Sequence, residues 1–304
     1  MRISTNTFFE HSVRGLTDLQ SSLGKVQTQI ASGKKLTSPS DDPIAAAQVI
    51  EINQSIAMND QYARNRLQLK NSLSHTDTVM NDVQDMLLNI HDTVIAASNG
   101  IVSDADKKSY AAALQASYNQ LLNLANTTDS SGNYIFAGSK NATPPFVRDE
   151  TTGRVNYAGS NSALVVKVDH GSSLSSTVTG TDLFFTSNNE NIFSKLQSAI
   201  DTLNNPTTTN TDPALSDLVT FFSDSLSQLG SVQSEVASRL KTIDQLDTLG
   251  SSRSLQLSQE LSSLEDLDYN KAIAEFSRQQ MVLQAAQQTF AQVSKMSLFD
   301  YIKN

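Results

Sequence analysis

The chain has 304 residues and a mass of 33.0 kDa, enough for one large domain or two to three smaller ones. Ser, Thr, Asn and Gln supply 113 residues, charged residues only 17%, and Cys and Trp are absent, which excludes disulfide scaffolds, thiolate metal sites and cysteine nucleophiles. A net charge of -9 argues against a nucleic-acid binder, which needs a basic face to displace counterions, and 38% apolar content suits elongated helices better than one compact core.

No stretch of 18 successive apolar residues occurs, and polar Ser4, Thr5, Asn6 and Thr7 interrupt the apolar run a signal peptide needs. A cytosolic protein and one exported without a cleavable signal are both compatible with this.

The first segment carries a seam. Phe9, Leu16, Leu23 and Ile30 fall seven apart, with Val13, Leu19 and Val26 between them, and Gly33 breaks the pattern as a candidate hinge. Ser40-Asp41-Asp42-Pro43 then reads as a helix start, because carboxylates accept from orphan N–H groups and proline suits the first turn. All six prolines fall in three places, at 39 and 43, 144 and 145, and 206 and 213, so residues 44–143 and 214–304 contain none and long helices are permitted there. Met80, Val83, Leu87, Ile90, Val94 and Ala97 alternate by three and four. Asn99-Gly100 stops that helix, Ser103 caps the next, and Tyr110, Leu114, Leu121 and Leu124 carry it.

From Gly132 to about Asn189 the texture changes. Tyr134-Ile135-Phe136, Pro145-Phe146-Val147, Arg154-Val155-Asn156-Tyr157 and the run from Ala163 to Val168 read as short strands. Turn clusters at 149–153, 170–173 and 179–182 separate them, which suggests an independent antiparallel unit. Helix resumes with Ile192, Leu196, Ile200 and Leu203, and residues 206–210 form a loop.

The last third holds a heptad seam of about seven repeats, Leu215, Phe222, Leu229, Val236, Ile243, Gly250, Leu257 and Leu264, read as one helix through Gly250. The C-terminal seam is Tyr269, Phe276, Leu283 and Phe290, with Ile273, Ala286 and Val293. Leu264 and Phe276 stand 12 residues apart rather than 14, the kind of shift at which one coiled segment hands over to another. The chain is thus expected to be mainly α: an elongated helical bundle or coiled-coil rod formed by N- and C-terminal arms, with a small inserted antiparallel β domain. Residues 1–37 and 281–304 would be terminal coiled-coil assembly segments, 38–132 and 190–280 the bundle, and 133–189 the insert.

A search for chemistry finds little. His11, His75, His91 and His170 lie in different segments, none paired at helical zinc spacing, and neighbouring carboxylates such as Glu265 and Asp266 read as solvated. No catalytic, cofactor or metal residues are expected, and the chain does not read as an enzyme. Each terminal segment can bury only one face, which does not offset the entropy of ordering it. The ends need each other and neighbouring subunits. Phe9, Val13, Leu16, Leu23, Ile30, Phe276, Leu283, Phe290 and Val293 form the expected assembly interface.

Three separated motifs carry a resemblance. Gln29-Ile30-Ala31-Ser32-Gly33-Lys34-Lys35-Leu36 with Pro39-Ser40-Asp41-Asp42-Pro43, then Gly132-Asn133-Tyr134-Ile135-Phe136-Ala137-Gly138, then Leu283 to Phe290 and Ser297 to Ile302, are similar to signatures of the flagellin and hook-associated family. The resemblance covers both helical arms and implies a structural subunit of the bacterial flagellum, polymerising through its terminal helices at the junction between hook and filament. It also implies export through the flagellar type III apparatus without signal cleavage, to an extracellular position. The implied partners are hook-associated protein 1, flagellin, further copies in a ring, and an export chaperone on the C-terminal helix; no cofactor, nucleic acid or membrane is implied. A filament subunit is the alternative, although Phe299-Asp300-Tyr301-Ile302-Lys303-Asn304 departs from the usual filament ending. A soluble coiled-coil signalling module is the alternative from another class.

Overall fold

The computed structural model describes residues 2–98, 102–149, 153–186, 190–205 and 213–302. The expected helix stop at Asn99-Gly100, most of the expected turn at 149–153 and the expected loop at 206–210 lie outside them. Helices α1 (Arg2–Ser32), α2 (Pro43–Ser98) and α3 (Asp104–Ala125) come first. Four three-residue strands follow, β1 (Phe146–Arg148), β2 (Val155–Tyr157), β3 (Val165–Lys167) and β4 (Ser173–Ser175). The chain ends in α4 (Gly180–Phe184), α5 (Ile192–Asn204), α6 (Pro213–Glu265) and α7 (Tyr269–Ile302).

The helix boundaries have local causes. Asp42 Oδ1 accepts from the N–H groups of Ile44 and Ala45, so Asp42 caps α2 with Pro43 in its first turn. Ser103 caps α3 as expected, its hydroxyl accepting from Asp106 N–H at 3.2 Å. Asn191 does the same for α5 through Phe193 N–H at 2.9 Å. α6 runs through Gly250 unbroken, and the shifted seam is a true helix break, with residues 266–268 separating α6 from α7.

The chain forms two compact units, one of residues 1–59 and 252–304, the other of residues 60–251, so the division falls within α2 and α6. These limits lie further into the chain than positions 37 and 280. Backbone hydrogen bonds tie the turn after α1 to the α6–α7 junction, and that draws both stretches into the first unit.

In the second unit the helical seams close. Met80, Val83, Leu87, Ile90, Val94 and Ala97 are all buried, with Leu114 and Leu121 of α3, Leu196 and Ile200 of α5, and Phe222, Leu229, Val236 and Ile243 of α6. The inserted strands form two separate antiparallel hairpins, β1–β2 pairing Phe146 with Tyr157 and β3–β4 pairing Val165 with Ser175.

Three details differ from the sequence reading. Tyr134-Ile135-Phe136 is not a strand: Tyr134 makes a single bridge to Thr128 and Ile135-Phe136 turn away, the apolar composition reflecting burial of Ile135 and Phe136. The cluster Thr179-Gly180-Thr181-Asp182 opens α4, because the Asp182 carboxylate accepts from both the N–H and the hydroxyl of Thr179. The strands are also not packed as an independent unit. Phe146 of β1 meets Phe193 of α5 at 5.2 Å between ring centroids and Phe184 of α4 at 4.9 Å, while Phe193 meets Tyr118 of α3 at 5.7 Å. Asn126 completes the join, its amide donating to Phe146 O and its carbonyl accepting from Phe146 N–H.

One core predicts one transition. Phe146→Ala should lower the stability of the second unit by about 3–5 kcal/mol, with helical and aromatic signals melting together. A strand-region transition separate from helix loss would show two cores instead. Tyr118 supplies a contrasting case, since its ring is fully buried and its hydroxyl has no hydrogen-bond partner among the described residues. Tyr118→Phe should therefore raise the denaturation midpoint, by an amount equivalent to about 1–3 kcal/mol.

Candidate assembly surface

The N-terminal seam requires a partner, and α7 supplies it. Phe9 meets Phe290 at 5.1 Å between ring centroids, while the turn after α1 meets the start of α7, so the two helices run antiparallel. Leu16 and Leu19 line one groove with Phe290, Val293 and the small residues Gly15 and Ala286, about 590 Å³ in volume.

A two-helix contact covers only part of such a face. Val26 and Ala272 are buried, each 8% exposed, whereas Phe9 remains 49% and Val13 41% exposed. Leu16, Leu23, Ile30, Phe276, Leu283, Phe290 and Val293 are all half-buried. On the same pair Ile273, Met281 and Val282 face outward as well. The structure thus brings Phe9, Leu16, Phe290 and Val293 together and leaves their apolar surface incompletely covered.

Gly33 ends α1 with φ 70, the left-handed region, and its N–H donates to Gln29 O at 2.9 Å. A Cβ there would stand 2.9 Å from the Tyr269 hydroxyl. The turn that follows was not legible as part of the site. Lys35 N–H donates to Glu265 O at 2.6 Å and Leu267 N–H to Gly33 O at 3.0 Å, the two rungs flanking an antiparallel bridge between Lys34 and Asp266. The Lys34 ammonium reaches the Glu265 carboxylate at 2.9 Å. Backbone rungs leave no residue signature; the spacing of 12 between Leu264 and Phe276 was the trace of this break.

Asp41 holds the other side of the turn. Its carboxylate sits 2.7 Å from the Lys25 ammonium and accepts from Thr37 N–H, Thr37 hydroxyl and Ser38 N–H. The Lys25 contact, aided by the Thr37 and Ser38 donors, keeps the acid well below the usual carboxylate range. Among the described residues no group of three His, Asp or Glu side chains is placed to hold a metal ion, and no helix is long and apolar enough to cross a membrane.

Comparison with known proteins identifies this arrangement. Residues 3–141 match the bacterial flagellin N-terminal helical region and residues 209–302 the bacterial flagellin C-terminal helical region. The chain is therefore built on the two helical regions of flagellins. Over its full length it is 35% identical to flagellar hook-associated protein 3 of Escherichia coli, covering 100% of both chains. It is likewise 35% identical to flagellar hook-associated protein 3 of Salmonella typhimurium, over 98% of this chain and 99% of that one. The chain belongs to the flagellar hook-associated protein 3 family. Its fold is that of a putative flagellar hook-associated protein from Vibrio parahaemolyticus, with a TM-score of 0.68 at 22% identity over 74% of this chain and 100% of that one.

The Asp41 turn gives a pH prediction. A depressed folded-state acid stabilises the turn fully above its ordinary value of 3.8 and loses that contribution only as pH falls well below it. In an acid titration the Thr37 and Ser38 amide resonances should stay unchanged down to about pH 4, where ordinary carboxylates already titrate. A midpoint at the ordinary value would show that the Lys25 contact is not made in solution.

Proposed function

We propose that the protein is a structural subunit of the bacterial flagellum that forms the junction between hook and filament by polymerising through its terminal helices. The observation that carries this reading is the incompletely covered apolar surface on α1 and α7, within a chain whose full-length relatives are flagellar hook-associated proteins. Phe9, Val13, Leu16, Leu23 and Ile30 act with Phe276, Leu283, Phe290 and Val293 as the assembly interface. Further copies close that surface in a ring, with residues 1–37 and 281–304 as the assembly segments and Gly33 as the bend where the chain leaves them. Residues 38–132 and 190–280 serve as the supporting bundle, carrying the insert 133–189.

In this reading hook-associated protein 1 lies on one side of the ring and flagellin on the other. The chain reaches its extracellular position through the flagellar type III apparatus without signal cleavage. An export chaperone covers the apolar face of α7 beforehand. The task of the protein itself is structural rather than catalytic.

The test is complementation of a deletion strain. Phe9→Asp, Leu16→Asp, Leu283→Asp or Phe290→Asp should abolish filaments while hooks stay intact and flagellin accumulates in the medium. The melting temperature of residues 60–251 should be unchanged, because these side chains belong to the other compact unit. Normal filaments from two or more of these variants would overturn the assembly role of the surface.

A further inference from the structure

The apolar seams of α1 and α7 do not specify how the two helices align. Phe9, Leu16, Leu23 and Ile30 repeat every seven residues, and so do Phe276, Leu283 and Phe290. Sliding one helix by a heptad, about 10 Å at 1.5 Å per residue, still sets apolar residues against apolar residues. Such a slip forfeits contacts only at the ends. A second constraint must choose the register, and the turns beside the pair contain one.

We propose that the paired turns at 33–35 and 265–267 form a clasp that sets the register of α1 on α7 and from which the pair closes. The clasp joins segments more than 200 residues apart in sequence through two backbone hydrogen bonds of opposite direction, Lys35 N–H to Glu265 O and Leu267 N–H to Gly33 O. Three side-chain contacts reinforce or brace it. Lys34 bonds both carboxylate oxygens of Glu265 at 2.9 and 3.0 Å, Gln29 donates to Lys35 O at 2.7 Å, and Lys25 pairs with Asp41 beyond it. A heptad slip would pull apart every bond that crosses between the two turns. Beside the clasp Val26 and Ala272 are buried, although Tyr269 and Ile273 on the same stretch stay exposed, as Phe9 and Val13 do further along.

This deepens the assembly reading by saying how its surface is aligned, yet it is tested on the purified chain without hook or filament, so either can fail alone. The chain contains no cysteine, so two introduced thiols are the only ones present. Phe9→Cys with Phe290→Cys reports the observed register, and Phe9→Cys with Leu283→Cys reports a heptad slip. The first pair should form its disulfide about tenfold faster than the second, because distant thiols cannot be bridged. Leu267→Pro removes one rung donor, and Lys35→Pro removes the other from the opposite strand. Either change should bring the two rates together, while amide exchange at residues 23–32 rises toward that at 7–16. The helical signal of residues 60–251 should be retained, which separates clasp loss from general unfolding. A preference for the 9/290 pair that survives both prolines would overturn the proposal and assign register to the apolar seam. So would equal rates for the two pairs in the otherwise unaltered chain.

Discussion

Two helices in contact can cover only one stripe on each other, and an apolar face wider than that stripe stays open until a third element arrives. α6 illustrates the consequence along a single helix. Its seam is buried at Phe222, Leu229, Val236 and Ile243, where α3, α5 and the strand region contribute to the same core. Further along, Leu257 and Leu264 of the same seam are only half-buried. The side chains are of one kind throughout. What changes is the number of neighbours, and the half-open state of α1 and α7 follows from the same constraint.

Within residues 60–251 the neighbours are drawn together by aromatic rings and by a few costly polar contacts. The β3–β4 hairpin offers little apolar surface of its own, with Val165 exposed and Val166 partly buried. It is held instead by main-chain acceptors. Asn65 donates to Lys167 O at 2.8 Å, and the buried Arg66 donates to Val168 O at 2.9 Å while pairing with Asp247. A guanidinium that is buried this deeply must keep its partners, because leaving it unpaired would strand a charge in the core. Arg66 therefore fixes the hairpin more by the penalty of release than by the strength of attraction.

Periodicity made most of the helical structure legible, since a seven-residue repeat needs no knowledge of the partner helix. Asp42-Pro43 and Ser103 were equally readable, because a helix start satisfies its donors with side chains that the sequence names. The strand region was harder. Tyr134-Ile135-Phe136 and Phe146-Val147 have the same aromatic and β-branched character, yet only the second enters a ladder. Each contributes buried side chains, Ile135 and Phe136 in the first and Phe146 in the second, and composition does not record their backbone bonds. Thr179 and Asp182 have the spacing of a capping box, but the intervening Gly180 favoured a turn reading. The apolar seams of α1 and α7 could be read residue by residue, whereas the 33–35 and 265–267 rungs could not, since any non-proline residue can supply them.

The high Ser and Thr content acquires a physical meaning on the helices. Thr17 donates to Val13 O, Thr28 to Gly24 O, Thr242 to Ser238 O and Thr289 to Ala285 O, each four residues back in its own helix. Ser231 and Ser234 do the same with Ser227 and Gly230. A hydroxyl bonded in this way brings its hydrogen-bond partner with it. Another subunit can then cover the surface without stranding the donor, whereas a lysine or glutamate there would have to shed its hydration or find an opposite charge. A low share of charged residues and a high share of self-satisfied hydroxyls thus keep a helical surface polar in water and inexpensive to bury. That combination suits a chain that carries a half-open apolar seam in water, and it would suit the covering of that seam under the proposed assembly.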